Sequence, residues 1–519
     1  MINDENKRYT IILYGLFLIG SFFFLSLDFY KAFWYDEAYT INLVRQSFGY
    51  LWHVTANDVH PPLYYILLKL YTYIFGDSVV ALRIFSALPM IGVMLLACTH
   101  IRKKFGNKTA LSLLVLVILM PVNQYLASEI RMYSFGMFFV LLSALYAYQS
   151  YTTFRRSDLL KFTLFSLAAA YTHYYALLGV FYIYLLFFLV VLIKKRDKIL
   201  AFIGYSVLFI IGYLPWLINL PGQVSQVQDE YWINAPRLKD FVIYFYYPFA
   251  QELDLVATQI PLSHFASAFC MLAVFVALFI YVIFCGRKTA SLDKILSDRR
   301  IYASLLFLAF ILTLATAITY SLLSKPVFVT RYMTPVLGLF YLGVAIFFAS
   351  FDWKKTQNKI VLFLMFLILA YFSFNHYSLQ YRTNQYKERV QAKIINFAEE
   401  RIDDKTAFVY SDTRSFSIAS IPLFFPDSKH YIRIRLTGKY YKKYLENFKS
   451  IPIFDFGDID TAYTKILVVK NVDNDDSFMK VAEDSIEIVK YFDIIDRQDI
   501  EGHIVYQLQR KNRNNNIAD

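Results

Sequence analysis

Long apolar runs recur along the chain at approximately 11–28, 79–100, 109–127, 133–151, 162–193, 199–219, 263–284, 301–321, 334–350 and 360–376. Most are close to the roughly 20 residues that a helix needs to cross hydrocarbon, so they predict membrane-spanning helices. The run at 162–193 is too long for one crossing: at about 1.5 Å per residue it would reach roughly 48 Å, against a hydrocarbon core of about 30 Å. Polar His173 lies near its middle, and a hairpin of two short helices is expected. Lysine and arginine favour the same split, because cytoplasmic connections retain positive charge. With the hairpin in place, alternate connections collect Lys7-Arg8, Arg102-Lys103-Lys104, Arg155-Arg156, Lys194-Lys195-Arg196, Arg287-Lys288 and Lys354-Lys355, while the other set is poor in both residues. The reading is about eleven transmembrane helices, with a cytoplasmic amino terminus and an external carboxy terminus. The first run follows Lys7-Arg8 as a signal peptide would, yet it lacks a small-residue cleavage pattern and is read as an uncleaved helix.

Beyond residue 376 the pattern becomes that of a water-facing domain. Val390, Ile394, Phe397, Ala398 and Ile402 recur at helical spacing over 387–402. Short strands are expected at 406–411, 431–435, 465–470, 486–491 and 504–509. The expected organisation is thus a polytopic α-helical module over 1–376 with a first outer loop at 29–78, a small α/β extracytoplasmic domain over 377–510, and a disordered tail over 511–519.

Composition agrees with the membrane assignment, since 57% of the 519 residues are hydrophobic and soluble domains lie nearer 45–50%. With 19% aromatic and only 18% charged residues, the chain is neither disordered nor a nucleic-acid binder. Much of its net charge of +12 is topology signal. Cys98, Cys270 and Cys285 lie in or beside apolar stretches, which leaves none for a disulfide or a cysteine metal cluster in a watery domain.

Ionisable groups in or beside a bilayer are costly and tend to be functional. Here they collect on the outer side: Asp36-Glu37 and His60-Pro61-Pro62-Leu63-Tyr64-Tyr65 in the first loop, Glu129-Ile130-Arg131-Met132-Tyr133 in the second, His173-Tyr174-Tyr175 in the third, and Lys325 with Arg331-Tyr332 in the fifth. A sugar on a polyprenyl phosphate keeps its tail in the bilayer and its headgroup at that boundary. An enzyme using it needs a base, cations for the phosphate, and aromatic surface. Asp36 can take the acceptor hydroxyl's proton as that oxygen attacks the anomeric carbon. Arg131 and Arg331 can bind the phosphate and stabilise charge developing on the leaving group. Phosphate already leaves well, so the paired carboxylates of glycoside hydrolysis are not required. Each group also has a structural reading: Asp36-Glu37 as acids at a helix N-terminus, Glu129 and Arg131 as an ion pair, and Lys325 and Arg331 as residues snorkelling to headgroups.

The order Asp-Glu after the first helix, then His-Pro-Pro-Leu-Tyr-Tyr, then Glu-x-Arg-Met-Tyr resembles the GT-C glycosyltransferases of family 39, which include protein O-mannosyltransferases and the lipid A aminoarabinose transferase. The likeness covers roughly residues 1–376 and is most specific over 30–135. It implies a GT-C fold, surface-lying helices in the first loop, a polyprenyl-phosphate sugar donor, and inversion at the anomeric carbon. In that pattern the base or acceptor contact falls on Asp36, with Glu37 beside it. The resemblance also implies phosphate-binding basic residues where His60 stands, a position that is lysine in the aminoarabinose transferase, and in later loops. With the outer-side groups above, the candidate donor contacts are His60, Glu129, Arg131, His173, Tyr174, Lys325, Arg331 and Tyr332.

No cofactor is called for. A divalent metal near Asp36, Glu37 and His60 is conceivable on ligand type, yet nothing has the spacing of a dedicated metal site. The expected partners are the lipid-linked sugar, an extracytoplasmic acceptor that is protein, lipid or glycan, and membrane lipids, with the site facing the periplasm of a bacterial inner membrane. The alternatives are a secondary transporter or flippase, which would spread polar groups through the midplane, and a polysaccharide ligase or polymerase using diphosphate-linked donors.

Overall fold

Every predicted apolar run is helical. The computed structural model describes the chain except residues 1, 230–232, 234, 251–261, 288–297, 350–354, 411–415, 434–449, 472–485 and 512–519. Lys288, Lys354 and the tail after residue 511 therefore lie outside the described residues. In chain order the helices are α1 (Ile2–Leu25), α2 (Tyr35–Arg45), α3 (Phe48–Ala56), α4 (Leu63–Phe75), α5 (Val79–Leu96), α6 (Arg102–Phe105), α7 (Asn107–Leu119), α8 (Pro121–Ser128), α9 (Tyr133–Thr153) and α10 (Arg156–Ala170). There follow α11 (Tyr174–Lys194), α12 (Ile199–Leu217), α13 (Leu220–Asp229), α14 (Leu238–Tyr246), α15 (Leu262–Arg287), α16 (Asp298–Leu323), α17 (Thr334–Ala349), α18 (Thr356–Glu399) and α19 (Phe416–Phe424). Among the described residues seven helices are long and apolar enough to cross a membrane, or eight if the bent pair α7 and α8 counts as one span. The eleven expected crossings each fall on a helix, but α10, at 15 residues, is short for a span, and α9 carries many serines, threonines and tyrosines. The polar content of α9 is tolerated because it is an interior helix, packed by α5, α10, α11 and α17.

The chain forms two compact units, one of residues 1–29 with 48–381 and one of residues 30–47 with 382–519. In the first, the 162–193 run divides as expected, α10 and α11 meeting at a turn whose His173 caps α11 by accepting the Tyr175 N–H through Nδ1 (3.1 Å). Small residues set the closest helix approaches. A Cβ on Gly179 of α11 would lie 2.6 Å from Val336 Cγ1 of α17, so those helices touch almost backbone to side chain. The run at 109–127 is broken: α7 and α8 meet at 66° where Pro121, at the first position of α8, has no N–H to continue the ladder. Asn123 and Gln124 answer the break, donating from their side-chain amides to the carbonyls of Val117 (3.0 Å) and Ile118 (3.1 Å). Asn123 also accepts from Tyr341 Oη (3.3 Å), and Gln124 donates to Ser373 Oγ (2.7 Å).

In the second unit, β1 (Thr406–Tyr410), β2 (Lys429–Arg433), β3 (Ser450–Ile453), β4 (Lys465–Asn471), β5 (Phe492–Ile500) and β6 (His503–Arg510) make one sheet ordered β3-β2-β1-β4-β6-β5. The first four are parallel, and β6 and β5 add antiparallel. Val409, Tyr431, Ile466, Val468, Phe492 and Leu508 share its core, which is why β1 and β4 read as continuous apolar runs. One expected strand is corrected: residues 486–491 are helical. The Ile486/Ile488 alternation suggested a strand, but Ile488 is fully buried while Ile486 is exposed, and pairing with β6 begins only at Phe492. The helix expected at 387–402 is the last part of α18, a single helix of 44 residues that begins in the first unit and ends in the second.

Candidate functional site

Three connections in the first unit build one buried polar cluster. Residues 57–62 precede α4, and two prolines there remove two N–H groups. The first available one, on Leu63, donates to the Tyr171 carbonyl (3.0 Å) and ties this loop to the α10–α11 turn. His60 is thereby brought beside His173, their ring centroids 6.2 Å apart. Residues 129–132, between α8 and α9, supply Arg131. They form a tight turn in which the Arg131 N–H donates to the Glu129 carbonyl (2.7 Å). Arg83, fully buried on α5, donates to the Ser128 carbonyl and fixes the end of α8.

Arg131, 2% exposed, donates from Nη2 to His60 Nε2 (3.3 Å) and from Nη1 to Tyr65 Oη (3.3 Å). With Nε2 accepting, the His60 proton sits on Nδ1, facing Asp58 Oδ2 at 3.4 Å. Asp58, His60, Arg131 and Tyr65 thus form a chain in which each polar atom orients the next. His173 stands just before the α11 span. Its pKa is held well below the ordinary value, first by burial and then by neighbouring His60 and Arg131. Its Nδ1 already accepts the Tyr175 N–H, so the neutral ring carries its proton on Nε2. Tyrosines enclose it: the Tyr332 ring lies 5.1 Å from His173, Tyr133 and Tyr175 each 5.7 Å. The Tyr175 hydroxyl donates to the Val327 carbonyl (2.7 Å), anchoring the segment before Tyr332 to α11.

The structure thus brings His60, Arg131, His173 and Tyr332 together, with Glu129 buried at the adjoining turn. Arg331, half-buried, precedes Tyr332 in a short 3-10 turn, Thr330–Met333. Two expected donor contacts do not join this cluster. Tyr174 turns its hydroxyl to Gln223 and accepts from Trp216 Nε1 (3.0 Å), within a separate core of α10, α11 and α12. Lys325 is exposed, and among the described residues it makes no side-chain hydrogen bond or ion pair. Tyr65 belongs to the motif read in the sequence and Arg83 carried only a weak signal there, whereas Asp58 was not singled out. The cue for Asp58 was an acid two residues before a histidine.

Asp36 and Glu37 belong to the second unit. They open α2, where Glu37, 1% exposed, accepts the Trp34 N–H through Oε2 (3.1 Å) and so caps its own helix. Asp36 is half-buried. Among the described residues no three His, Cys, Asp or Glu side chains gather as a metal site would require.

The chain is an integral membrane protein with apolar spans, buried polar turns between them and a small terminal sheet, and its fold is the one seen in the GT-C glycosyltransferases. A family model described as dolichyl-phosphate-mannose-protein mannosyltransferase matches residues 59–218. The crystal structure of ArnT from Cupriavidus metallidurans in the apo state superposes with a TM-score of 0.63 at 11% identity, covering 97% of this chain and 98% of that one. The same protein bound to undecaprenyl phosphate gives a TM-score of 0.57 at 12% identity, over 96% and 98% of the two chains. No curated protein sequence matches this chain.

Proposed function

We propose that the protein is an inverting glycosyltransferase that moves a single sugar from a polyprenyl phosphate to an extracytoplasmic acceptor, in a bacterial inner membrane with its site facing the periplasm. The observation that carries the reading is the buried Arg131-His60-Asp58 chain beside neutral His173, in a fold shared with a protein solved with undecaprenyl phosphate. Arg131 binds the donor phosphate, and His173 offers it a neutral Nε2–H. Asp36 accepts the proton of the acceptor hydroxyl as that oxygen bonds to the anomeric carbon from the face opposite the phosphate. The bond from the anomeric carbon to the phosphate oxygen breaks, its electron pair stays on phosphate, and Arg131 stabilises the charge. Tyr332 and Tyr133 supply ring surface to sugar or isoprenoid, with Arg331 a second cation at the same turn. Glu37 holds the start of α2, and Glu129 sets the turn that aims Arg131.

The test uses the purified protein in liposomes with sugar-bearing monophosphate and diphosphate polyprenyl donors. Transfer from the monophosphate alone, abolished in Asp36→Ala without loss of undecaprenyl-phosphate binding, is the expected result. Full activity of Asp36→Ala removes the base. Transfer of whole oligosaccharides from the diphosphate would establish a polymerase or ligase instead, and solute flux without any lipid-linked sugar would establish a transporter.

A further inference from the structure

The segment that carries Asp36 lies in sequence between α1 and α3, both helices of the first unit, yet its own packing partners come from residues 382–519. The contacts are specific. Phe33, 5% exposed, stacks on Phe424 of α19 with ring centroids 5.7 Å apart and planes 8° from parallel. The Phe33 N–H donates to Gln391 Oε1 (3.3 Å), and the Lys31 N–H donates to Glu388 Oε1 (3.3 Å). Glu388 and Gln391 are three apart on α18, hence on one helix face, and they hold alternate backbone groups of a non-helical stretch. Directly after it, Trp34 begins the capped first turn of α2, whose residues Ala38, Ile41 and Leu43 are buried and which packs on α19. Asp36 is thus fixed along its helix by the Trp34–Glu37 cap, and the helix is fixed in the second unit by Phe33, Gln391 and Phe424.

We infer that Gln391 and Phe424 are positioning residues for Asp36, so that the carboxy-terminal domain sets the geometry of the base. The inference rests on Asp36 being the base as proposed above. Group-transfer steps are steeply sensitive to misplacement, of the order of a hundredfold in rate for about 1 Å. The donor phosphate contacts assigned to Arg131 and His60 lie in the other unit and are left intact by changes here.

The experiment uses the full-length protein in nanodiscs, with Gln391→Leu, which keeps volume and removes the acceptor, and Phe424→Ala. The expected result is a kcat lower by about ten- to a hundredfold, with undecaprenyl-phosphate affinity and donor KM within about twofold of wild type. The conservative variants Gln391→Glu and Phe424→Tyr should restore kcat. A purely structural role would instead lower yield and affinity together. Wild-type kcat in Gln391→Leu and Phe424→Ala while Asp36→Ala is dead would overturn the inference. Wild-type activity in Asp36→Ala would fail at the earlier step, removing the base itself.

Discussion

Replacing Arg131 by methionine keeps the length and apolar stem of the side chain and deletes its charge and five donors. The bonds lost within the protein include those to His60 Nε2 and to Tyr65 Oη, each 3.3 Å long. The larger loss on the proposed mechanism is to the ligand, since a hydrogen bond to a charged group contributes roughly 1.5 to 3 kcal/mol. That range corresponds to about 10- to 150-fold in dissociation constant. Burial to 2% exposure keeps mobile ions away from the site, so added salt should recover little of the difference. The assay is binding of undecaprenyl phosphate to the detergent-purified variant, with thermal unfolding as a check on the fold. Lysine at the same position retains the charge, but it is a point donor rather than a planar fork, and should land between the other two. An Arg131→Met protein that is folded and binds undecaprenyl phosphate as tightly as the parent would refute the phosphate assignment.

Two further outcomes concern stability. His430 is buried in the second unit, its Nδ1 bonded to Tyr410 Oη (2.7 Å) and its Nε2 to the Phe425 carbonyl (2.8 Å), and burial lowers its pKa to about 4. The unfolded chain binds the proton first, so the stabilisation from the neutral ring is complete above about pH 6.5. It is lost as pH falls toward 4, by up to about 3 kcal/mol. Unfolding followed from pH 7 to pH 4 should show this slope, and His430→Gln should flatten it. In the first unit, Gly179→Ala forces a methyl to within 2.6 Å of Val336 Cγ1 and should cost about 1 to 3 kcal/mol. Adding Val336→Ala should recover part of that in a thermal melt, and additive losses would show that the two positions do not touch.

The spans were legible because lipid imposes a long apolar stretch that no soluble element needs. The hairpin at His173 was legible from length and charge together. Tyr174 and Tyr175 show where such reading stops: successive helical residues point about 100° apart, and only packing decides that Tyr175 meets His173 while Tyr174 meets Trp216. Asp58 escaped notice because its partner is itself a candidate rather than a pattern. The attachment of residues 30–47 to the second unit was invisible for a different reason, since Phe33 and Gln391 are 358 positions apart and neither is unusual locally. The strand expected at 486–491 failed because two isoleucines are too few to separate a period of 2 from one of 3.6.

The bend at Pro121 inverts the usual substitution logic of a lipid-embedded segment. Elsewhere in such a helix, exchanging an amide for leucine is tolerated or favoured, because the ladder satisfies its own backbone. Here the Val117 and Ile118 carbonyls depend on Asn123 and Gln124, in a solvent that offers no replacement donor. Greasier side chains at these two places would strand bare oxygens in oil, so this stretch must stay hydrophilic to survive in fat.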